Sequence, residues 1–370
     1  PISGSRYALQ FATFADGGWS APFTVVEDDS IFIHATEIPS VRALSDSALA
    51  AVWQRKTGGT GHGFYGIRVA FSSDHGANWS RPVIPHRAPV NGGTFEFPTA
   101  YRTAQGELGL FWIDPRRQTA RHNPDKPDEM DHVGSRNLMW TTVSPDGRLG
   151  TEVEVDSVAC DCCPMDVALS GDATVFAYRD KELPPGLPID SVRYETNVVR
   201  DIAVARLEPG QEGDAAAWRA GRVVHRDGWV YNGCPNNGPA VAADGRRLAV
   251  AWWTAEGSRP RVQLGFSDDA GRSFGEPVVV TSGRPEGQVS VGLVPDGAVV
   301  LWLENRQVYA RLVRADGGTG AETVLGASGG RHRLPAPVGA PEGGLMVTWL
   351  GPDNRLTSRR ILVPSAVATR

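Results

Sequence analysis

Ile38-Pro39 predicts a short strand that opens with a proline. The later segment Leu49-Ala50-Ala51-Val52-Trp53 predicts an apolar strand that ends in an aromatic residue. The interval from proline to aromatic residue is 14 residues. The same interval recurs four more times, once with glutamine in the place of the proline: Pro98 to Trp112, Pro164 to Tyr178, Gln288 to Trp302 and Pro335 to Trp349. A further copy, Pro235 to Trp252, has three extra residues. The chain is therefore built from six copies of one unit.

The starts of these units, at residues 39, 98, 164, 235, 288 and 335, are 47 to 71 residues apart. Each unit has room for about four strands of ordinary length, and repeats of this size that each hold a meander of strands are typical of propeller blades. We predict an all-β, six-bladed β-propeller in which residues 1–370 form a single domain, with blades that begin near residues 35, 94, 160, 231, 285 and 331. Residues 7–26 would complete the last blade and close the ring. Two stacked β-sandwich domains are the alternative, but they do not explain the constant interval.

Composition agrees with this fold and narrows the range of partners. The chain has 43 glycines and 27 prolines, which suit short strands joined by tight turns. Its net charge is −5 and it has no basic stripe, so we do not expect a nucleic-acid partner. No apolar run approaches the ~18 residues of a membrane span. The chain opens at Pro1, which is compatible with a removed leader, and we expect a secreted or periplasmic protein.

Two turn sequences share a second motif. Ser72-Ser73-Asp74-His75-Gly76-Ala77-Asn78-Trp79 and Ser267-Asp268-Asp269-Ala270-Gly271-Arg272-Ser273-Phe274 both fit S-x-D-x-G-x-x-W/F. In such a turn the Asp and Ser side chains bond the local backbone, and glycine takes a positive φ. The motif resembles the Asp-box, or BNR repeat, of sialidase-like propellers. This resemblance implies the six-bladed fold, but it says little about function because the Asp-box is structural.

Sialidases open their first blade with (F/Y)-R-I-P, whose arginine holds the carboxylate of the substrate. The corresponding residues here are Thr36-Glu37-Ile38-Pro39, with glutamate in the place of the arginine. We also find no match for the other arginines, for the Tyr/Glu nucleophile pair or for the acid Asp of that family. Sialidase activity is therefore not expected.

The resemblance also implies which residues face the axial pocket, because in sialidases the position two before the proline faces the substrate. Transferring that register gives a ring of acidic and sulfur-bearing residues that favours a cation: Glu37, Glu96, Cys162, Gly233, Glu286 and Arg333.

The four cysteines share this register. Cys160, Cys162 and Cys163 stand directly before Pro164, and Cys234 stands directly before the equivalent proline of the next unit, so we expect all four to lie close together. Three interpretations stay open: a thiolate metal site, a disulfide such as Cys163–Cys234, and inert buried cysteines. Residues alternate in facing along a strand, so we expect Cys160 and Cys162 to share one face and Cys163 to point the other way. The tight C-x-C-C spacing favours Cu(I) over zinc.

These residues give three functional hypotheses. In the first, Cys160, Cys162, Cys163 and Cys234 bind copper, for copper handling or a copper-dependent oxidation of a small molecule. In that oxidation, the side chains that take protons or steer substrate would be Glu37, Glu96, Glu286 and Arg333. In the second, pairs of these glutamates serve an exo-acting glycoside hydrolase. In the third, the propeller is a binding module without catalysis.

Overall fold

The structure is a computed structural model. It describes residues 6–15, 18–34, 36–58, 64–88, 93–122, 130–192, 196–211, 217–330, 336–339 and 344–362. Contacts divide the chain into two compact units. Unit 1 comprises Pro1–Asp161, Pro188–Arg193 and Glu212–Ala216, and unit 2 comprises Cys162–Leu187, Tyr194–Gln211 and Ala217–Arg370.

Unit 1 is built from short antiparallel strands. They are β1 (Tyr7–Phe11), β2 (Phe14–Ala15), β3 (Gly18–Trp19), β4 (Phe23–Asp28), β5 (Ser40–Ala43), β6 (Leu49–Gly58), β7 (Phe64–Ser72), β8 (Glu96–Arg102), β9 (Leu108–Asp114), β10 (Thr119–His122), β11 (Met130–Val133), β12 (Asn137–Val143) and β13 (Val153–Asp156). Two of its sheets are meanders, β5-β6-β7 and β8-β9-β12-β13, and the pairs β1-β4, β2-β3 and β10-β11 are hairpins. A single-turn 3-10 helix spans Ile189–Ser191.

Unit 2 continues the same pattern. Its strands are β14 (Asp166–Ser170), β15 (Ala173–Arg179), β16 (Val198–Val199), β17 (Ile202–Leu207), β18 (Arg219–His225), β19 (Val230–Tyr231), β20 (Ala240–Asp244), β21 (Arg247–Thr254), β22 (Arg261–Ser267), β23 (Val278–Val279), β24 (Gly287–Val294), β25 (Gly297–Glu304), β26 (Gln307–Arg314), β27 (Thr323–Ala327), β28 (Ala336–Gly339), β29 (Leu345–Leu350) and β30 (Leu356–Ile361). Four sheets are meanders: β14-β15-β17-β18, β20-β21-β22-β23, β24-β25-β26-β27 and β28-β29-β30. A second 3-10 turn spans Glu256–Ser258.

The repeat found in the sequence corresponds to the first two strands of each meander. The second strand carries the aromatic residue of the 14-residue interval, and each of these side chains is buried: Trp53, Trp112, Tyr178, Trp252, Trp302 and Trp349. Apolar cores fill the space between consecutive sheets of the same unit. One such core in unit 2 joins Val262 and Leu264 of β22 to Val300 and Trp302 of β25. Burial of these side chains supplies the main favourable free energy of packing.

Both turns of the second motif have the predicted hydrogen bonds. Ser72 Oγ lies 2.8 Å from Asp74 Oδ1 and accepts the Gly76 N–H at 2.8 Å, and Gly76 has a φ of 89°. Ser267 and Asp269 form the corresponding 2.8 Å hydrogen bond in unit 2. The local turn chemistry is therefore as the sequence indicates, while its link to a particular family stays a prediction.

Ring closure by the N-terminal residues also stays a prediction. Within the part of the chain that is described, β1 pairs with β4 and not with another sheet. Tyr7, Leu9 and Val26 pack instead against a cluster that contains Trp53 of β6. In the described residues, no helix has the length and apolar character needed to cross a membrane.

Candidate functional site

Unit 1 brings two of the predicted glutamates together. Glu37 directly precedes the residues that lead into β5, and Glu96 is the first residue of β8. Tyr65, on β7, lies between them: its Oη is 3.1 Å from Glu37 Oε1 and 3.1 Å from Glu96 Oε1. The two carboxyl groups are therefore no farther apart, between their nearest oxygens, than twice that distance.

An irregularity in β8 places Glu96 in this position. The register between β8 and β9 shifts between Glu96 and Thr99, and Phe97 has a φ of 51°. A bulky residue with positive φ is uncommon, and such local strain persists where the surrounding structure holds it. The Phe97 N–H donates to Glu37 Oε2 at 3.1 Å, so the bulge itself contributes a hydrogen bond to the pair.

Tyr65 has contacts to two carboxyl groups but only one hydroxyl hydrogen, so two ionised carboxylates cannot both be hydrogen-bonded to it. A tyrosine hydroxyl has one hydrogen, so it can donate to one of the two glutamates only. The second contact becomes a hydrogen bond when one of the two carboxyl groups is protonated and donates to Tyr65. On Glu37, Oε2 already accepts from Gln54 Nε2 and from the Phe97 N–H. Oε1 of Glu37 is therefore the atom that can carry this proton.

The electrostatic environment assigns the proton to the same residue. Burial, and then the neighbouring charge of Glu96, raises the pKa of Glu37 to about 7. Burial and the charges of the same two glutamates also raise the pKa of Tyr65, which keeps the phenol neutral. Both effects favour the neutral form of Glu37 at a pH at which an exposed glutamate is ionised.

Glu96 has the opposite environment. Its Oε2 forms an ion pair with Arg136, and its Oε1 accepts the Thr94 hydroxyl at 2.8 Å. Burial opposes the charge of Arg136, but the attraction of Glu96 and Asp161 outweighs it and raises the pKa of the guanidinium. Arg136 is held in turn by Gln118 Oε1 at 2.8 Å. Glu96 is thus held by a largely buried guanidinium, whereas burial favours the neutral form of Glu37.

The remaining predicted pocket residues are not part of this pair. Glu286 belongs to unit 2, where its backbone N–H donates to the Leu303 carbonyl at 2.8 Å and its Oε2 has no hydrogen-bond partner in the described chain. Arg333 lies outside the described residues. The six-residue ring stays a prediction, and the contacts show only that Glu37 and Glu96 lie close together.

The cysteines lie close together, as the sequence predicts. The sulfur atoms of Cys160, Cys162 and Cys163 lie within 4.8 Å of one another. In unit 2, Cys162 is disulfide-bonded to Cys234, with their Cα atoms 5.8 Å apart. Cys160 and Cys163 are disulfide-bonded as well, so none of the four is a free thiol.

Two details of the cysteine prediction are wrong. The residue bonded to Cys234 is Cys162 and not Cys163. The predicted alternation of faces also fails, because this segment is a turn between the end of β13 at Asp156 and the start of β14 at Asp166. Side chains of a turn do not alternate as those of a strand do, which is why all three sulfur atoms come close together.

Tyr65, Gln54 and Arg136 were not predicted from the sequence. Tyr65 is the second residue of β7, Arg136 directly precedes β12, and Gln54 lies within β6. Gln54, for example, directly follows the buried Trp53, and its Nε2 donates to the Phe95 carbonyl at 2.8 Å as well as to Glu37. A polar residue that interrupts a buried strand near the proposed pocket is the signal that could have identified them.

No family model matches the chain, and no curated protein matches it. Solved structures do. An α-L-arabinanase of Penicillium chrysogenum complexed with arabinobiose is 13% identical with a TM-score of 0.50, and the match covers 89% of this chain and 96% of that one. The GH93 α-L-arabinofuranosidase of Fusarium graminearum with arabinobiose is 11% identical with a TM-score of 0.50, covering 90% and 96%.

The Hadza microbial sialidase is 12% identical with a TM-score of 0.50, and the match covers 88% of this chain and 65% of that one. At these identities the likeness shows the fold and no more. It confirms the predicted fold class, an all-β, sialidase-like six-bladed β-propeller.

Proposed function

We propose that this chain is an exo-acting glycoside hydrolase that uses Glu37 as the acid and Glu96 as the carboxylate. The observation that supports this most strongly is the pair of carboxyl groups whose oxygens each lie 3.1 Å from Tyr65 Oη. Glycoside hydrolysis by two carboxyl groups needs this combination, one protonated and one ionised. The fold is one that glycoside hydrolases use, which agrees with the proposal without deciding it.

The roles follow from the environments of the two side chains. In the first step a Glu96 oxygen forms a bond to the anomeric carbon as the bond to the leaving oxygen breaks, and Glu37 transfers its proton to that oxygen. In the second step water gives a proton to Glu37 and its oxygen replaces Glu96 on the anomeric carbon. Arg136 orients the Glu96 carboxylate throughout.

The spacing of the pair favours retention of configuration. The nearest oxygens of Glu37 and Glu96 are each 3.1 Å from Tyr65 Oη, so twice that distance is the upper limit of their separation. Inverting enzymes need ~6.5–9.5 Å between their carboxyl groups to admit a water molecule, and retaining enzymes need ~5–5.5 Å. We therefore propose a covalent glycosyl intermediate on Glu96.

The charge of the site favours an uncharged sugar. Glu37 stands where sialidases have the arginine that holds a carboxylate, and it is paired here with a second glutamate. An anionic sugar would bring a third carboxyl group to this pair, which like-charge repulsion opposes. Two of the similar structures contain arabinobiose, a neutral disaccharide, which makes it a suitable first substrate.

A screen of 4-nitrophenyl glycosides, with arabinobiose alongside, tests the proposal. We expect Glu96→Gln to lower kcat by roughly 10²–10⁴-fold or more on every substrate that the wild type cleaves. Glu37→Gln should impair arabinobiose more than a 4-nitrophenyl glycoside, because nitrophenolate leaves without a proton. Glu276→Gln changes an exposed carboxyl outside the pair and is the matched control. A wild type inactive on the whole panel, or a Glu96→Gln variant as active as the control, would refute the proposal.

A second proposal concerns copper. The three sulfur atoms within 4.8 Å of one another favour it, because close sulfur ligands suit a soft cation. In the disulfide-bonded state the sulfurs fit no thiolate site, so we propose that the reduced chain binds Cu(I) in preference to Zn(II). Elemental analysis of anaerobically reduced protein, with Cys162→Ser for comparison, should find about one copper in the wild type and less in the variant. Reduced wild type without stoichiometric metal rules it out.

We also propose that the chain works in an oxidising compartment, outside the cytosol. The disulfide-bonded state of all four cysteines supports this, because disulfides persist where thiols are not kept reduced. Alkylation of thiols in cells that make the protein, followed by mass spectrometry, should leave all four cysteines unmodified. Free thiols at these positions would contradict it.

A further inference from the structure

Unit 2 contains a cavity whose lining residues, apart from Cys234, take no part in the preceding proposals. Its volume is about 560 Å³, within the range of small-molecule sites. The cavity opens between β19, the end of β21 and the 3-10 turn at Glu256–Ser258. Residues that line it include Trp229, Val230, Tyr231, Cys234, Trp253 and Glu256.

The aromatic side chains of this cavity are held in fixed orientations. The Trp229 ring stacks on Tyr231 with centroids 5.1 Å apart and meets Trp253 edge-on at 5.2 Å. The indole N–H of Trp253 donates to the Pro285 carbonyl at 2.9 Å. Arg200 donates to the Tyr231 carbonyl at 3.3 Å. Because these aromatic side chains are already ordered, they lose little conformational entropy when a ligand binds.

Polar groups lie in the same cavity as the accessible rings. Tyr231 is 38% exposed although it stacks on the buried Trp229. The turn that completes the lining contributes the Glu256 carboxylate and the exposed Ser258, whose φ of 59° turns the backbone sharply. Flat apolar faces next to a few hydrogen-bonding groups suit a ligand with a C–H face and a hydroxyl edge.

The charges around the cavity favour an uncharged ligand. Glu256 is the lining residue with a charged side chain, and its Oε2 lies 3.6 Å from Arg261 Nη1, so that this charge is already paired. A cation is disfavoured because the buried Arg179 guanidinium lies 5.2 Å from the centroid of the Trp229 ring. Arg179 already makes the cation–π contact that this ring offers. An uncharged ligand remains.

We propose that this cavity binds a neutral sugar ring, with the C–H face of the sugar against Tyr231 and Trp253 and its hydroxyl groups bonded to Glu256 and the adjoining turn. The Cys162–Cys234 bridge fixes one side of the cavity through Cys234. Sugar binding in this cavity does not depend on hydrolysis by Glu37 and Glu96. The proposal therefore also applies if the chain binds oligosaccharides without cleaving them.

Calorimetric titration of the Glu96→Gln chain tests this, because that background removes cleavage of the probe. The neutral probes are arabinobiose, cellobiose and lactose, the anionic probe is 3′-sialyllactose, and the cationic probe is choline. We expect saturable binding of at least one neutral probe, weakened about tenfold or more by Tyr231→Ala and retained in Tyr231→Phe, which keeps the ring. Phe14→Ala, which removes a ring with a similar exposure of 39%, should not change binding.

Several results would overturn the assignment. These are no binding of any neutral probe, tighter binding of 3′-sialyllactose or choline, or a Tyr231→Ala chain that melts like its parent and binds as well. If Tyr231→Ala does not fold, Glu256→Ala is the second variant, and undiminished affinity in it would count against the proposal. Absence of hydrolysis by the wild type would refute the proposed function and leave this binding result intact.

Discussion

Replacing Glu37 by glutamine should change how the stability of the chain depends on pH. Burial, followed by the charge of Glu96, raises the pKa of this carboxyl from 4.5 to about 7. The folded chain therefore holds the proton more tightly than the unfolded chain does. By linkage, the stability that the neutral carboxyl contributes is fully present below the unfolded pKa and is lost as the pH rises through the folded one.

The size of the effect follows from the two pKa values. One pKa unit corresponds to ~1.4 kcal/mol, so a shift from 4.5 to about 7 makes the free energy of unfolding fall by roughly 3 kcal/mol across this window. Glutamine does not titrate, so the variant should lack this part of the slope. Glu96→Gln removes the charge that is the second cause of the shift, so the fall should be smaller and should end at a lower pH.

Urea unfolding followed by tryptophan fluorescence, at intervals from pH 4.5 to pH 8, measures this difference. Other groups contribute the same background slope to both proteins, so the quantity of interest is wild type minus Glu37→Gln. The exposed Glu276→Gln is the control and should run parallel to the wild type. Parallel curves for wild type and Glu37→Gln would show that Glu37 titrates normally, and the assignment of the shared proton would fail.

Three further predictions concern the framework. Trp302→Ala empties a fully buried site and should lower the free energy of unfolding by roughly 3–5 kcal/mol, whereas the 43% exposed Trp19 should tolerate alanine; equal urea midpoints would refute this. Gly238→Ala places a Cβ 1.7 Å from the Pro164 carbonyl oxygen and should cost roughly 1–3 kcal/mol, with an unchanged melting temperature as the contrary result. Cys162→Ser removes a disulfide that spans 72 residues and should lower the free energy of unfolding by roughly 4 kcal/mol; an unchanged value in calorimetry would contradict this.

The repeat made the fold predictable. A constant interval between proline and aromatic residue reports a strand, a turn and a second strand, and Trp112 and Trp302 are buried in the second strand of their meanders as this spacing requires. The proximity of Cys234 to the triplet was predictable from the same register. The choice of Cys162 as its partner was not, because the conformation of the turn decides which sulfur faces it.

The candidate site was only partly predictable from sequence. The register identified Glu37 and Glu96, but their relation depends on Tyr65 and on the bulge at Phe97, where a residue takes a positive φ that no local pattern indicates. Arg136 is 40 residues beyond Glu96 in the chain, and its ion pair exists only after the strands have paired. Long-range contacts of this kind require the folded chain.

The most direct test of the account is the identity of the residue that a mechanism-based inhibitor labels. A 2-deoxy-2-fluoro glycoside of the sugar that the screen identifies should accumulate as an ester, and peptide mass spectrometry should place it on Glu96. The same reagent should leave Glu96→Gln unlabelled. A label on Tyr65 or on any residue other than Glu96, or continued hydrolysis of an ordinary substrate without any label, would contradict the account.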